Sequence, residues 1–295
     1  MKIMKRLIAL TIIFSILIMP GATAYGDSII YIAYFNKIVL QGETFMIYIS
    51  GIKADDAVKV TSDLKARSEK YFPYKNGKLA IIAVGCTAEP GEYVYDILIS
   101  RGDKVLRDVK NKITVKENSF KKDYIKVSKE TQEKKSQDNL NFDTEQIAKA
   151  KADPEKLTLY KGGFIDPVDA EIKTEFGAMS YVNGVRSSVH SGLDFKAKKG
   201  TPVMASNDGK VVLAMELNAS GNTVILDHGL NIYTSYCHLD SIGVETGDRV
   251  EKGDIVGNVG STGYSTGPHL HWTFSIGRQS TDPKPFMDGL GTPNF

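Results

Sequence analysis

The 295-residue sequence has two cysteines, one tryptophan, no histidine before position 190 and no marked excess of charge of one sign. So few cysteines exclude a disulfide-stapled scaffold and a metal site built mainly of thiolates. Cys86 and Cys237 fall in what read as different domains, so two separately buried thiols are expected rather than a disulfide. Lysine plus arginine total 37 against 35 acidic residues, a formal net charge of +2, which lacks the footprint of a nucleic-acid binder. Long apolar stretches are also missing: the run from Leu7 to Met19 has 13 residues, short of the roughly 20 needed to cross a bilayer. The hydrophobic share of 42% and charged share of 24% are ordinary for a soluble globular chain. The length supports more than one core. All five histidines, His190, His228, His238, His269 and His271, lie in the last third, so any imidazole chemistry belongs there.

Lys2, Lys5 and Arg6 precede that apolar run, and Pro20-Gly21-Ala22-Thr23-Ala24 follow it. A basic segment, a short apolar core, a helix breaker and an A-x-A site predict a secretory signal over residues 1–24, cut after Ala24. The absence of a cysteine near the cut argues against a lipoprotein, and no stable membrane anchor is expected after cleavage. Removing the signal takes away three basic groups and no acidic ones, so the mature charge is +2 − 3 = −1. The small positive balance belongs to export, not to a partner.

Three regions follow. Residues 25–117 contain short β-type runs (SIIYIAYF, TFMIYIS, AVKVTS, KLAIIAV, EYVYDILIS, KVLRDVKNKITV) separated by turn residues such as Asn76-Gly77 and Glu89-Pro90-Gly91. Their number predicts a small antiparallel sandwich of immunoglobulin-like type, a spacer or binding module without a catalytic cluster. Residues 118–159 shift to Lys, Glu, Gln, Asp and Ser, as in a charged, partly helical linker; Asp143 with Gln146 reads as an N-cap pair, and Pro154 as a stop. The alternating charges there predict a solvated face. Residues 160–295 are β-patterned again with frequent glycine, including the paired turns of GDRVEKGD, and predict an antiparallel β-barrel or sandwich. The whole chain therefore reads as all-β with a part-helical connection.

Chemistry-bearing residues in the last region fall in three segments. His190-Ser-Gly-Leu-Asp194 offers an imidazole and a carboxylate, both good zinc ligands, and Gly192 argues for a loop running into a strand. In Tyr236-Cys237-His238-Leu239, strand alternation predicts Tyr236 and His238 on one face and Cys237 on the other. In Gly267-Pro268-His269-Leu270-His271-Trp272, the two histidines are expected to share a face, with Leu270 on the core side. Spacing alone leaves open which of His269 and His271 binds metal.

These segments, with Phe176-Gly177, HSGLDF, GTPVMASNDGKVV, GNTVILDHGL, YCHL, GDRVEKGDIVGNVGSTGYSTGPHLHW and Thr281-Asp282-Pro283, resemble the lysostaphin-like zinc metalloendopeptidases, which cut peptides of bacterial peptidoglycan. The likeness runs over most of residues 160–295. It implies one zinc ion held by His190, Asp194 and His271, with His238 and His269 as a catalytic pair beside a zinc-activated water. A catalytic zinc with three protein ligands and an open position fits that division, and zinc lowers the pKa of a bound water towards about 7. The resemblance also makes Tyr181 the nearest candidate for an auxiliary tyrosine, at a different spacing, and His228 a structural turn residue. Many relatives carry an arginine soon after the Phe-Gly pair; Ala178 and Met179 stand here instead. Trp272 is expected in the core.

The implied function is a secreted or envelope-located endopeptidase acting on peptidoglycan stem peptides or cross-bridges. A reading from a different class is a non-catalytic envelope module that binds the wall or regulates another hydrolase. A lipoyl-like carrier accounts only for the GDRVEKGD turns and leaves every histidine unexplained. The N-terminal sandwich is expected either to position the peptidase on the wall or to cover its groove.

Overall fold

The computed structural model describes residues 29–64 and 70–289. The expected signal over 1–24 lies outside the described residues. No helix among the described residues is long and apolar enough to cross a membrane.

All six N-terminal β-type runs form strands, in two four-stranded sheets. One has the order β1 (Tyr31–Phe35), β3 (Thr44–Ser50), β6 (Gly77–Ala83), β5 (Phe72–Tyr74). The other runs β2 (Ile38–Leu40), β8 (Lys104–Lys116), β7 (Gly91–Arg101), β4 (Ala57–Ser62). Phe45, Ile47 and Ile49 of β3 and Ile97 and Ile99 of β7 meet in the core of this sandwich. The opposite face of β3 is buried too. Met46 and Tyr48, with Leu79 and Ile81 of β6, join an apolar cluster that includes Phe164, Phe274 and Phe286 of the C-terminal region. A strand side-chain period of two thus explains the uninterrupted apolar run FMIYI: both faces are covered.

The polar segment 118–159 is built into the C-terminal region at several points. Its strand β9 (Lys122–Ile125) pairs in parallel with β11 (Met179–Val182), whose other neighbour is β12 (Val185–Val189). Two helices follow, α1 (Lys129–Glu133) and α2 (Gln137–Ala150). The cap of α2 is Ser136, whose hydroxyl accepts from the Asn139 amide; Asp143, expected as the cap, lies inside the helix and is buried. Ser136 wins because its hydroxyl sits three residues before a free amide, the geometry a cap needs. Much of the charge alternation faces solvent, but Asp143 and Lys151 turn inward. Lys151 donates to the Ser275 hydroxyl at 2.8 Å, and burial lowers its pKa from 10.5 to about 8.

Apart from β11 and β12, the strands of the C-terminal region form one antiparallel ten-stranded sheet. Its main path is β10 (Ile172–Thr174), β13 (Leu193–Phe195), β20 (Leu270–Ile276), β17 (Ile232–Ile242), β16 (Gly221–Asp227), β15 (Gly209–Leu217), β18 (Arg249–Val250). The strands β14 (Pro202–Met204) and β19 (Ile255–Val259) pair with each other, β19 also joins β17, and β21 (Gln279–Ser280) joins β20. A short helix, α3 (Lys284–Met287), closes the described chain. Trp272 is fully buried in the core, opposite Tyr236 across β20 and β17. The fold is all-β apart from the helical connection. Neither cysteine is bridged.

Candidate active site

Asp194 and His271 stand directly opposite each other in the β13–β20 pair, so their side chains leave the sheet on the same face. His190 reaches them from the loop after β12. Its backbone is tied to the Phe-Gly turn by two bonds: the Gly177 amide donates to its carbonyl at 2.9 Å, and its amide donates to the Ala178 carbonyl at 2.8 Å. Gly192 lets this loop lie against β20, because a Cβ there would fall 2.2 Å from the Trp272 carbonyl oxygen. The three side chains form a tight triangle. His190 Nε2 is 3.0 Å from Asp194 Oδ1 and 3.0 Å from His271 Nδ1, which is itself 2.8 Å from Asp194 Oδ1.

Each ring is engaged at its far side, His190 by a carbonyl that fixes its tautomer and His271 by a hydroxyl. His190 Nδ1 donates to the Glu175 carbonyl at 3.0 Å, leaving its Nε2 lone pair inward. His271 Nε2 lies 3.0 Å from the Thr273 hydroxyl, and in the tautomer that donates to it Nδ1 keeps its lone pair inward. Two ring lone pairs and a carboxylate oxygen therefore converge where only a cation relieves their repulsion. Tetrahedral zinc ligands at about 2.0–2.1 Å lie about 3.3 Å apart, close to the spacing seen here. Among the described residues this triad is the one His/Cys/Asp/Glu group placed to hold a metal. The donor set suits zinc.

His269 and His238 stand beside the triad. His269 Nδ1 donates to the Gly267 carbonyl at 2.8 Å, and its Nε2 lies 3.9 Å from Asp194 Oδ1. His238 Nδ1 donates to the Thr262 carbonyl at 2.8 Å; its ring is 4.9 Å from that of His269 and 6.0 Å from that of His271. Each thus presents Nε2 with its lone pair free to accept a proton. Burial first, then the neighbouring His269 and His271, lower the His238 pKa from 6.5 to about 3, so its ring is neutral at ordinary pH.

His238 reaches the site by a route that alternation does not predict. The β16–β17 register shifts between Asn222 and Val224, so Cys237 and His238 together oppose Thr223, and His238 has φ of 62°. The bulge corrects the expected faces. Cys237 stands opposite His271, on the site's side of the sheet, whereas Tyr236 is in the core with its hydroxyl accepting from the Ser206 amide at 2.8 Å. Cys237 is still no ligand: burial pushes its thiol up to about 12, and it is outside the triad.

Tyr181 is not drawn into the cluster. Its ring stacks on that of Tyr124, with centroids 5.1 Å apart. His228 is buried away from the triad, bonded at 2.8 Å to both the Asp208 carbonyl and the Thr234 hydroxyl. Thr273 was missed by motif reading, although its position two residues after His271 on a strand signals a shared face. The carbonyls of Glu175, Thr262 and Gly267 carry no side-chain signal at all.

Residues 188–283 match Peptidase family M23. DD-carboxypeptidase/endopeptidase Mpg of Neisseria meningitidis serogroup B (strain MC58) is 38% identical over 130 residues, covering 43% of this chain and 30% of that protein. Glycyl-glycine endopeptidase ALE-1 of Staphylococcus capitis is 41% identical over 125 residues, covering 40% of this chain and 34% of that protein. The matches thus span about a third of these relatives' length. A putative peptidase M23 from Pseudomonas aeruginosa shares the fold over 85% of this chain and 95% of its own, with TM-score 0.59 and 22% identity. The C-terminal region of this chain, with its converging His190, Asp194 and His271, belongs to peptidase family M23, the lysostaphin-like metallopeptidases.

Proposed function

We propose that the chain is an exported zinc endopeptidase that hydrolyses peptide bonds of bacterial peptidoglycan. The observation that carries this reading is the pairing of a three-donor triad with two further histidines whose Nε2 atoms are free. Zinc held by His190, Asp194 and His271 supplies a Lewis acid and a water of lowered pKa. A free Nε2 on His238 or His269 is suited to accept a proton from the attacking water and to return one to the leaving amine, an effect of about 10²- to 10⁴-fold. The other ring, once protonated, is suited to donate to the oxygen on which negative charge develops. The low pKa of His238 favours it as the neutral partner. Two relatives are named a DD-carboxypeptidase/endopeptidase and a glycyl-glycine endopeptidase, and these names support a wall peptide as the substrate class.

The test is His269→Ala, with His238→Ala beside it. Zinc is expected to stay bound at one per chain while release of fragments from purified peptidoglycan collapses. Digestion at the native rate would refute the assignment, and a zinc-free native protein would favour a non-catalytic envelope module. Mass spectrometry of fragments from stem-linked and glycine-bridged walls identifies the bond.

A further inference from the structure

The helix α2 lies outside the stretch that matches the family, yet its one buried acidic side chain reaches the candidate catalytic machinery. Asp143 is 4% exposed. Its Oδ1 accepts from the Asn218 amide at 2.7 Å, and its Oδ2 accepts from the Ala219 amide at 3.1 Å, the Ser220 amide at 2.8 Å and the Ser220 hydroxyl at 2.9 Å. One carboxylate thereby fixes three successive amides of the β15–β16 turn. Charge-assisted bonds of this kind are stronger than neutral ones.

The fixed turn in turn holds both sides of the site. The Ser220 carbonyl accepts from the His238 amide at 3.0 Å, the residue in the left-handed bulge. The Ala219 carbonyl accepts from the Tyr264 amide at 2.7 Å, in the loop leading to His269. Gly221, at φ of 69°, allows Thr262 to press against the turn, since a Cβ there would fall 2.3 Å from Thr262 Oγ1. Thr262 is the residue whose carbonyl orients the His238 ring. A non-glycine residue in this backbone region is strained and persists only where its surroundings over-determine it.

We infer that Asp143 is a positioning residue for catalysis: from the connecting helix it locks the 218–220 turn that sets the backbone of His238 and the loop before His269. The inference rests on the reading of His238 as a catalytic histidine. It makes the connecting segment part of the working peptidase, although no recognisable motif extends to it.

The experiment compares full-length Asp143→Asn and Ser220→Ala with the native chain. Asp143→Asn keeps the shape but offers one acceptor oxygen where two stood. Its kcat on wall peptide is expected to fall at least about tenfold, in line with small misplacements of reacting groups, with KM within about twofold and zinc still at one per chain. Ser220→Ala, which deletes one bond, is expected to lower kcat less, in the same direction. Native kcat in a folded Asp143→Asn overturns the inference; should that variant not fold, native kcat in Ser220→Ala overturns it. In the zinc-loaded protein, the imidazole resonances of His238 are expected to move in Asp143→Asn while those of His228 do not. Unmoved His238 resonances count against the inference. This readout needs no activity, so it separates failure of the positioning from failure of the proposed function.

Discussion

His190 Nε2 and His271 Nδ1 face each other at 3.0 Å, although 81 residues separate them in the chain. Each is the unprotonated nitrogen of a ring whose other nitrogen is engaged, and Asp194 completes the triangle. His190→Ala and His271→Ala are expected to lose stoichiometric zinc and, with it, the thermal stabilisation that zinc gives the native protein. Atomic absorption and melting curves with and without added zinc check this. Full zinc content in either variant would sink the ligand set.

Thr273 holds the His271 ring by the bond at 3.0 Å to Nε2. Thr273→Val keeps the shape and deletes the hydroxyl. Zinc affinity is expected to fall about 10- to 100-fold, as for other partners of metal-bound histidines, while Thr273→Ser retains it. Competition titration with a chelator measures both, and equal affinities would show that the ring is oriented by other means.

Gly192 is required by proximity. The atom that a Cβ would meet at 2.2 Å is a backbone oxygen of β20 and cannot swing aside. Gly192→Ala is expected to cost about 1–3 kcal/mol, the usual range for overpacking, and to weaken zinc binding by pushing His190 away from His271. Denaturant unfolding and a zinc titration report the two effects; a variant native in both would contradict the close approach.

His228 supplies a pH dependence independent of the metal site. Burial holds its pKa down from 6.5 to about 4, so the fold favours the neutral ring. The associated stability is fully present above about pH 6.5 and is lost as pH falls through about 4, with a limit of about 3 kcal/mol. His228→Asn cannot titrate in this range. In zinc-free protein, the stability advantage of the native chain over His228→Asn is expected to shrink between pH 7 and 4. A constant difference across that range would assign the acid sensitivity elsewhere.

The candidate triad was legible through the family resemblance of the H-x-x-x-D and H-x-H segments; their spacing alone leaves His269 and His271 equivalent, and it is the fold that brings His271 to His190 and Asp194. The strand runs were legible too, since an exposed or buried β face leaves alternation or a full apolar run. Two features were not. Alternation misplaces Cys237 because a single left-handed residue, His238, shifts the register, and nothing in YCHL marks a bulge. Asp143 looked like a cap because local spacing is blind to a turn more than seventy residues away. In both cases long-range backbone bonds decide the outcome, and these are made by groups every residue possesses.

The strand β3 has no free side: Phe45, Ile47 and Ile49 face one core, while Met46 and Tyr48 face the other. A strand shared in this way cannot serve as a hinge, because any rotation between the halves must strip apolar surface into water. The sandwich and the peptidase sheet are therefore expected to melt in one cooperative transition rather than two. The sandwich is thereby a rigid extension of the C-terminal sheet, and any partner bound to it would be held at one fixed angle to the His190, Asp194 and His271 triad.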